Sequence, residues 1–232
     1  MSDVAVVMAW NDPGAGARRD ACKYVSALYR RMALGQLWFG TAEPFTKARA
    51  LNAVIAQLPP GTIIVQSDPD SFLPREASYR EAIRLADAQP GLVVPFERYR
   101  YLTEHATERV IRWPYQMDAH ELAVLAVDEE GYAGVGNVTV FSKETWAQAG
   151  GYDERFPMWG GDDAAFRYAC DALVAPTRRL PGDAVHLFHP RLPISIPGGP
   201  GYVEQFAIVA EYRDAAEEGP EAVRALVENR GS

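Results

Sequence analysis

The chain has few cysteines and no long apolar segment, and each shortage excludes a class of protein. Cys22 and Cys170 are its two cysteines, and their wide separation does not match the close spacing of zinc sites or disulfide frameworks. We therefore expect two free thiols in a reducing compartment. No apolar run approaches membrane-spanning length, and the segment 1–10 is too short and, at Asp3, too acidic for a signal peptide. These features predict a cytoplasmic protein with no membrane span.

Basic residues are also in short supply. The formal net charge is −8, from 31 acidic and 23 basic side chains. This balance argues against nucleic-acid binding through general electrostatics, although it leaves room for a local basic groove. The 232 residues are 48% hydrophobic, which is enough for one large or two small domains with a full core. With no internal repeat or low-complexity tract, one α/β domain is the simplest interpretation.

What the sequence does contain is an alternation of short apolar runs with amphipathic segments. This alternation is typical of a parallel, doubly wound sheet. The mixed pattern of 98–127 does not predict a particular element. The predicted strands are 4–10, 37–39, 62–66, 92–94, 134–141 and 184–189. The predicted helices are 18–32, 46–58, 74–88, 142–148, one that begins at 162, and one or two after a loop at 193–201.

Two aspartates, Asp68 and Asp70, directly follow the β-branched strand 62–66. A buried strand that ends in carboxylates brings hard oxygen ligands to the edge of a sheet, where a divalent cation carrying a phosphate is the expected guest. The same Asp-Pro-Asp tripeptide equally suits an ordinary turn, because aspartate bonds its own backbone and proline presets φ. The tripeptide alone therefore leaves both interpretations open.

Other polar segments have ordinary structural explanations when each is taken singly. Asp162 and Asp163 suit the first turn of a helix, where the helix dipole favours acidic residues. The basic residues of segment 45–52 suit a solvated helix face. His186 and His189, three residues apart in a strand-like segment, are expected on opposite faces, so that one of them would be structural.

Taken jointly, these segments resemble the GT-A glycosyltransferases. The resemblance rests on Phe-Thr-Lys-Ala-Arg-Ala-Leu-Asn at 45–52, Ser-Asp-Pro-Asp-Ser-Phe-Leu-Pro at 67–74, and the stretch 142–163, which ends in Trp-Gly-Gly-Asp-Asp. They occur in the family's own order and, with the late histidine, span roughly residues 4–190. The chain is most similar to the family 2-like branch of β-1,4-galactosyltransferases, polypeptide N-acetylgalactosaminyltransferases and chondroitin-type polymerases.

The resemblance implies an architecture. We expect a single Rossmann-like GT-A domain over 1–190, with a mostly parallel central sheet flanked by helices. Residues 191–232 are expected to form a flexible loop and a C-terminal helical extension packed on the same domain.

The resemblance also implies a metal site and a catalytic base. Asp70 would bind the metal, and Asp68 would face the nucleotide or share the metal. His186 would complete the metal site, with His189 as its rival. Asp163 stands where inverting members of the family have their catalytic base, and Asp162 takes the place of a glutamate that contacts the sugar or acceptor.

The remaining contacts that the resemblance implies concern the nucleotide sugar. Ala164 and Ala165 stand where galactosyltransferases continue their acidic run, so acceptor contacts do not transfer from those enzymes. The implied donor contacts are Arg18, or alternatively Arg19, for the diphosphate or uracil, Arg49 and Asn52 on the helix that closes the nucleotide pocket, and Trp159, Gly160 and Gly161 beside the sugar.

The predicted function follows from these roles. Carboxylates with an imidazole suit Mn²⁺, whereas oxygen ligands alone suit Mg²⁺. We expect a metal-dependent transfer of a sugar from a nucleotide sugar, in the first place a UDP-sugar, to an acceptor hydroxyl with inversion. The acceptor is a saccharide, a protein or a modified base. Two alternatives stay open: a nucleotidyltransferase, given the glycine-containing basic loop at 11–19, and a non-catalytic nucleotide-sugar-binding module.

Overall fold

The computed structural model describes residues 2–112, 121, 126–127, 134–157, 160–190 and 202–230. Trp159 and the predicted loop at 193–201 lie outside the described residues.

Helices and strands alternate along the first half of the chain, as the sequence predicts. The strands are β1 (Val4–Ala9), β2 (Gln36–Gly40), β3 (Ile63–Ser67), β4 (Ser71–Phe72), β5 (Val93–Val94), β6 (Arg98–Leu102), β7 (Ala126–Val127), β8 (Val138–Ser142), β9 (Arg178–Arg179) and β10 (Asp183–His186). The helices are α1 (Ala17–Met32), α2 (Lys47–Gln57), α3 (Glu76–Ala88), α4 (Glu104–Arg112), α5 (Lys143–Gln148), α6 (Asp162–Leu173), α7 (Tyr202–Glu218) and α8 (Pro220–Glu228).

Six strands of the described chain form the larger sheet, in the order β2-β1-β3-β8-β5-β9. The pairs β1–β2, β1–β3 and β5–β9 are parallel, and β8 runs antiparallel to both of its neighbours. Helices α2 and α3 pack on this sheet. The prediction of a mostly parallel central sheet flanked by helices is therefore confirmed.

Local sequence explains why the elements of the larger sheet begin and end where they do. Every residue of β3 is buried, as the apolar run before Asp68 predicts for a central strand. Helix α2 begins after Thr46, whose side-chain oxygen accepts a hydrogen bond from the Arg49 backbone amide at 3.2 Å. Ser142 caps α5 in the same way.

A second sheet has the order β4-β10-β6-β7. Two of its strands, β6 and β7, lie in the stretch 98–127, for which the sequence predicted no particular element. Strand β4 is two residues long and pairs antiparallel with β10, which places Ser71 opposite His186. The Leu187 amide also donates to the Asp70 carbonyl at 2.8 Å. This small sheet therefore brings the late histidine segment to the end of β3.

The two C-terminal helices, α7 and α8, pack against α6 and against each other. Their buried residues include Tyr212 and Val223. Among the described residues, none of the helices is both long and apolar enough to cross a membrane.

Candidate functional site

The end of β10 brings two histidines to one aspartate. The His189 Nε2 lies 3.1 Å from Oδ2 of Asp70, and the His186 Nε2 lies 3.6 Å from Oδ1. One ligand atom from each of the three residues falls within 4.8 Å of the other two. Asp70 is buried and both imidazoles are partly buried. We call these three residues the metal cluster, because their donor atoms converge as a cation would require.

Both histidines reach Asp70 because β10 ends at His186. The strand period of two governs residues inside a strand, and His189 lies beyond the strand, where the chain runs on through Leu187 bonded to the Asp70 carbonyl. Its ring lies 5.2 Å from the ring of His186. The expectation that the two histidines face opposite ways, with one of them structural, is therefore wrong.

The charges in the metal cluster perturb its titration. Burial would raise the pKa of Asp70, but attraction to His186, His189 and Arg18 lowers it below its ordinary range. Burial would likewise lower the pKa of His189, and its hydrogen bond to Asp70 raises it instead. Arg18, at the start of α1, thus lies within electrostatic range of the cluster.

Asp68 belongs to a different group of side chains from Asp70. Its Oδ1 lies 2.9 Å from the Lys47 Nζ, and its backbone amide donates to the Asn137 carbonyl at 2.7 Å. Among the described residues it is not part of the converging ligand set of Asp70 and the histidines. The two carboxylates of the Asp-Pro-Asp tripeptide therefore contact different side chains in the structure.

Lys47 is the centre of this second group, which we call the lysine cluster: Lys47, Asp68, Asp162 and Asp163. The Lys47 Nζ lies 2.7 Å from the Asp163 Oδ2 and 3.7 Å from the Asp162 Oδ2. Its side chain is 2% exposed, and Asp162 is fully buried. The prediction that Lys47 belongs to a solvated helix face is wrong, because the carboxylates at the start of α6 and the end of β3 enclose its ammonium group.

Three carboxylates surround one ammonium group, and burial together with these charges shifts the pKa values of the group's members. Burial lowers the pKa of Lys47, but Asp162, Asp163 and Asp68 raise it well above its ordinary value. Burial raises the pKa of Asp162 to about 6, with Lys47 opposing the shift and Asp163 adding to it. Burial also raises the pKa of Asp163, with Lys47 opposing the shift and Asp68 adding to it. A raised pKa makes Asp163 a stronger base than an exposed aspartate.

A signal for Lys47 was present in the sequence. A lysine in the first turn of a helix opposes the positive end of the helix dipole. Lys47 is the first residue of α2, and no acidic residue accompanies it in that turn. Such an unfavourable position indicates that the compensating charge comes from elsewhere in the fold.

The glycines before α6 admit close packing of the backbone. Gly160 and Gly161 have φ values of 113° and 84°, which side-chain-bearing residues rarely adopt. A Cβ on Gly161 would lie 2.7 Å from the Phe156 ring, and one on Gly160 would lie 3.1 Å from the Gln205 Oε1. Both glycines therefore serve to seat Asp162 and Asp163 at the start of α6.

Asn52 and Arg49 face the loop before the glycines. The Asn52 amide oxygen accepts from the Trp146 Nε1 at 3.1 Å and from the Tyr152 amide at 2.9 Å, and its nitrogen donates to the Tyr152 carbonyl. The Arg49 Nε lies 3.7 Å from a carboxylate oxygen of Glu154. We assign Asn52 to the scaffold of this loop, since its amide is already bonded there.

A cavity of about 420 Å³ runs along α6 beyond Asp163. Neither cluster contributes to its lining, so it is a separate space from the metal cluster. Its lining includes Val135, Ala164, Arg167, Tyr168, Asp171 and Val209.

One family model matches part of the chain. Residues 120–190 match the N-terminal domain of galactosyltransferase. This stretch is less than a third of the chain, and it contains Asp162, Asp163 and both histidines of the metal cluster. No curated protein matches the sequence significantly.

Solved glycosyltransferase structures share the fold. The catalytic domain of Drosophila β-1,4-galactosyltransferase 7, in complex with xylobiose, superposes with a TM-score of 0.50 at 13% identity, over 77% of this chain and 65% of that one. A mannosyltransferase from Pyrobaculum calidifontis, in complex with GDP-Man and Mn²⁺, superposes with a TM-score of 0.53 at 16% identity, over 98% of this chain and 68% of that one. This chain thus spans 65% of the length of the galactosyltransferase domain.

At these identities the structural likeness establishes the fold. The chain has the GT-A fold, and the predicted resemblance to galactosyltransferases is confirmed by the matched segment.

Proposed function

We propose that the chain is a metal-dependent glycosyltransferase that moves a sugar from a nucleotide sugar to an acceptor hydroxyl. The observation that carries this proposal is the pairing of two clusters across Asp68-Pro69-Asp70. One converges three ligand atoms within 4.8 Å, and the other presents the partly buried carboxylate of Asp163, whose pKa is raised, at the start of α6. A metal site beside a general base is what glycosyl transfer from a diphosphate requires.

The metal cluster fits Mn²⁺ better than Mg²⁺. It offers carboxylate oxygen from Asp70 and imidazole nitrogen from His186 and His189. Mixed oxygen and nitrogen ligands favour Mn²⁺ over Mg²⁺, which prefers oxygen and water. When bound there, the cation would stabilise the negative charge that develops on the departing diphosphate. Arg18, within range of Asp70, adds a further positive charge on the same side.

Asp163 is the base in this proposal. The acceptor oxygen forms a bond to the anomeric carbon as the bond from that carbon to the diphosphate oxygen breaks. The hydroxyl proton passes to the Asp163 carboxylate, and the bonding electrons leave with the nucleoside diphosphate. An aspartate in this position supports direct displacement, and hence inversion at the anomeric carbon.

The donor is proposed to be a UDP-sugar. The galactosyltransferase-type segment supports this choice, while the mannosyltransferase of the same fold was solved with GDP-Man. Donor screening must therefore include both nucleotides. For the acceptor we keep the three classes that the sequence allows: a saccharide, a protein or a modified base.

The proposal is tested by a donor screen with the purified chain. Thermal shift and release of nucleoside diphosphate are measured with UDP-glucose, UDP-galactose, UDP-N-acetylglucosamine and GDP-mannose, each with Mn²⁺ and with EDTA. We expect one donor to raise the melting temperature and to be hydrolysed in a Mn²⁺-dependent manner, because binding stabilises the folded state by mass action. In a parallel reaction with UTP or GTP and a sugar 1-phosphate, release of pyrophosphate would indicate a nucleotidyltransferase. Donor binding without any hydrolysis would indicate a binding module.

Inversion is tested on the product. Proton NMR of the sugar released by donor hydrolysis, recorded before mutarotation, shows the anomeric configuration. We expect the opposite configuration to that of the donor, and retention would contradict the assignment of Asp163.

A further inference from the structure

Lys47 contacts one carboxylate oxygen of Asp163, and the backbone at Gly136 lies close to the same oxygen. The Lys47 Nζ lies 2.7 Å from the Asp163 Oδ2, with hydrogen-bond geometry. A Cβ placed on Gly136 would also lie 2.7 Å from that same Oδ2. The loop of Gly136 is itself held, because the Tyr99 hydroxyl donates to the Gly136 carbonyl at 2.7 Å. Both the Lys47 ammonium group and the Gly136 backbone thus lie close to Oδ2.

The other oxygen of Asp163 is in a different situation. Among the described residues no hydrogen bond reaches Oδ1, and the side chain is 17% exposed. A carboxylate that is anchored through one oxygen and open at the other presents a single lone-pair direction to an incoming hydroxyl. General-base catalysis depends on this kind of geometry, since misplacing a reacting group by about 1 Å can cost about a hundredfold in rate.

Lys47 also distinguishes Asp163 from its neighbour in sequence. Its Nζ contacts Asp163 and Asp68 at 2.7 and 2.9 Å, but lies 3.7 Å from the Asp162 Oδ2. The Asp162 Oδ2 has no hydrogen-bond partner within the described part of the chain. The ammonium group therefore anchors one of two adjacent acids and ties it to Asp68, two residues from the metal cluster.

We propose that Lys47 is a positioning residue for the catalytic base: it anchors Oδ2 of Asp163 so that Oδ1 faces the acceptor hydroxyl. The inference rests on the proposed function, because it gives Asp163 the role of base. Lys47 itself takes no proton from the substrate. It contributes by fixing the orientation of the Asp163 carboxylate. Removing the Lys47 ammonium group and crowding Oδ2 of Asp163 should therefore both lower turnover.

The first test measures geometry without any activity. The chain has only two other lysines, Lys23 and Lys143, so the Lys47 ammonium nitrogen is readily assigned in ¹⁵N spectra by its loss in Lys47→Arg. We expect a slowly exchanging Lys47 signal with a coupling through the hydrogen bond to the Asp163 carboxyl carbon. A Lys47 signal that couples only to Asp68, or one that exchanges rapidly with water, would overturn the inference even in an active enzyme.

The second test measures turnover as Mn²⁺-dependent release of UDP from UDP-galactose, or from the donor that the screen selects. Lys47→Met removes the anchor, and Gly136→Ala pushes on Oδ2 while leaving every charge in place. We expect each to lower kcat by about 10- to 100-fold with the donor KM changed by less than about threefold. Lys47→Arg, which keeps the charge, should recover part of the loss. Lys23→Met, at an exposed side chain of α1, is the matched control and should retain wild-type turnover.

The variants keep the two proposals distinguishable. If Lys47→Met does not fold, Gly136→Ala still decides the kinetic question, since it adds one methyl group at a backbone conformation that alanine can adopt. A wild-type kcat in Gly136→Ala would overturn the inference, as would equal losses in Lys47→Met and Lys47→Arg. If the wild-type chain releases no nucleoside diphosphate from any donor, the proposed function fails, and the NMR coupling alone decides whether Lys47 anchors Asp163.

Discussion

The metal cluster and the lysine cluster are neighbours built on opposite charge arrangements. In the first, the Asp70 carboxylate lies close to two imidazoles, and this set of donor atoms suits a divalent cation. In the second, three carboxylates enclose an ammonium group that the fold supplies permanently. The comparison shows one short stretch of chain that contributes one carboxylate to a pair of imidazoles and another to a buried ammonium group.

The stretch Asp68-Pro69-Asp70 divides the two clusters because its ends are bonded to different sheets. The Asp68 amide donates to the Asn137 carbonyl beside β8, in the larger sheet, whereas the Asp70 carbonyl accepts from Leu187 after β10, in the smaller one. The Ser71 amide also donates to the Asp68 carbonyl at 3.2 Å, which closes a turn. The turn and the cation site are therefore not alternatives, since the turn is what points the two carboxylates apart.

The largest effect is expected from Asp70→Ala, which removes the only carboxylate of the metal cluster. The two imidazoles that remain provide no negative charge, so we expect Mn²⁺ binding and Mn²⁺-dependent donor binding to be lost together. Isothermal titration with MnCl₂, and then with UDP in its presence, measures both. Asp68→Ala is the informative comparison, because its carboxylate contacts Lys47 and should leave Mn²⁺ affinity largely intact. Equal losses in the two variants would show that both aspartates share the metal.

The next largest effect is expected from Asp163→Asn in the lysine cluster. An amide cannot accept the acceptor proton, so transfer or donor hydrolysis should fall by about 10²- to 10⁴-fold. Mn²⁺ and UDP affinities should stay within a few fold of wild type, since Asp163 lies outside the metal cluster. Rates come from UDP release and affinities from titration of the same preparation. Transfer at the wild-type rate in Asp163→Asn would show that Asp163 is not the base. The two clusters would then not differ in function as proposed.

Replacing the histidines one at a time sharpens the description of the metal cluster. His186 and His189 approach different oxygens of Asp70, at 3.6 and 3.1 Å, so each should contribute a ligand. We expect His186→Ala and His189→Ala each to weaken Mn²⁺ binding by at least about tenfold, measured by titration or by the electron paramagnetic resonance of free Mn²⁺. His105→Ala, on α4 and away from both clusters, serves as the control. An unchanged affinity in either cluster variant would reduce the protein ligands to two.

Much of the frame around these clusters could be predicted from local sequence. The burial of β3, the cap at Thr46 and the acidic start of α6 depend on neighbouring residues, and the structure confirms all three. Strand β4 was missed because two residues carry no periodicity, and β6 because Arg98–Leu102 mixes charges with aromatics. Such elements are stabilised by pairing with β10, more than eighty residues along the chain.

Side chains whose partners are distant in sequence were the least predictable. Lys47 meets Asp163 across 116 positions, and Asn52 meets Tyr152 across 100. Neither pairing produces a periodic pattern in the sequence. The residue pattern therefore suggested a solvated helix face for Lys47, and the family resemblance suggested a nucleotide contact for Asn52. The one local indication was the unfavourable position of a lysine at a helix start. Convergence of both histidines on Asp70 likewise depends on where β10 ends, which spacing alone does not determine.

The smallest effect is expected from Asp162→Asn, and it concerns the free energy of unfolding. This variant tests directly how burial and neighbouring charges affect the lysine cluster. Burial raises the pKa of Asp162 to about 6, so the folded state keeps its proton at pH values where the unfolded chain has lost it. Wild-type stability should therefore fall as pH rises from about 4 to about 6 and then level off. Asp162→Asn carries no such charge, so it should gain up to about 3 kcal/mol over wild type at pH 8 and almost nothing at pH 4. Urea denaturation at both pH values measures the difference, with Asp20→Asn, at an exposed side chain of α1, as the control. A variant less stable than wild type at pH 8 would mean that Lys47 stabilises the charged form of Asp162 as fully as that of Asp163, contrary to its 3.7 Å separation.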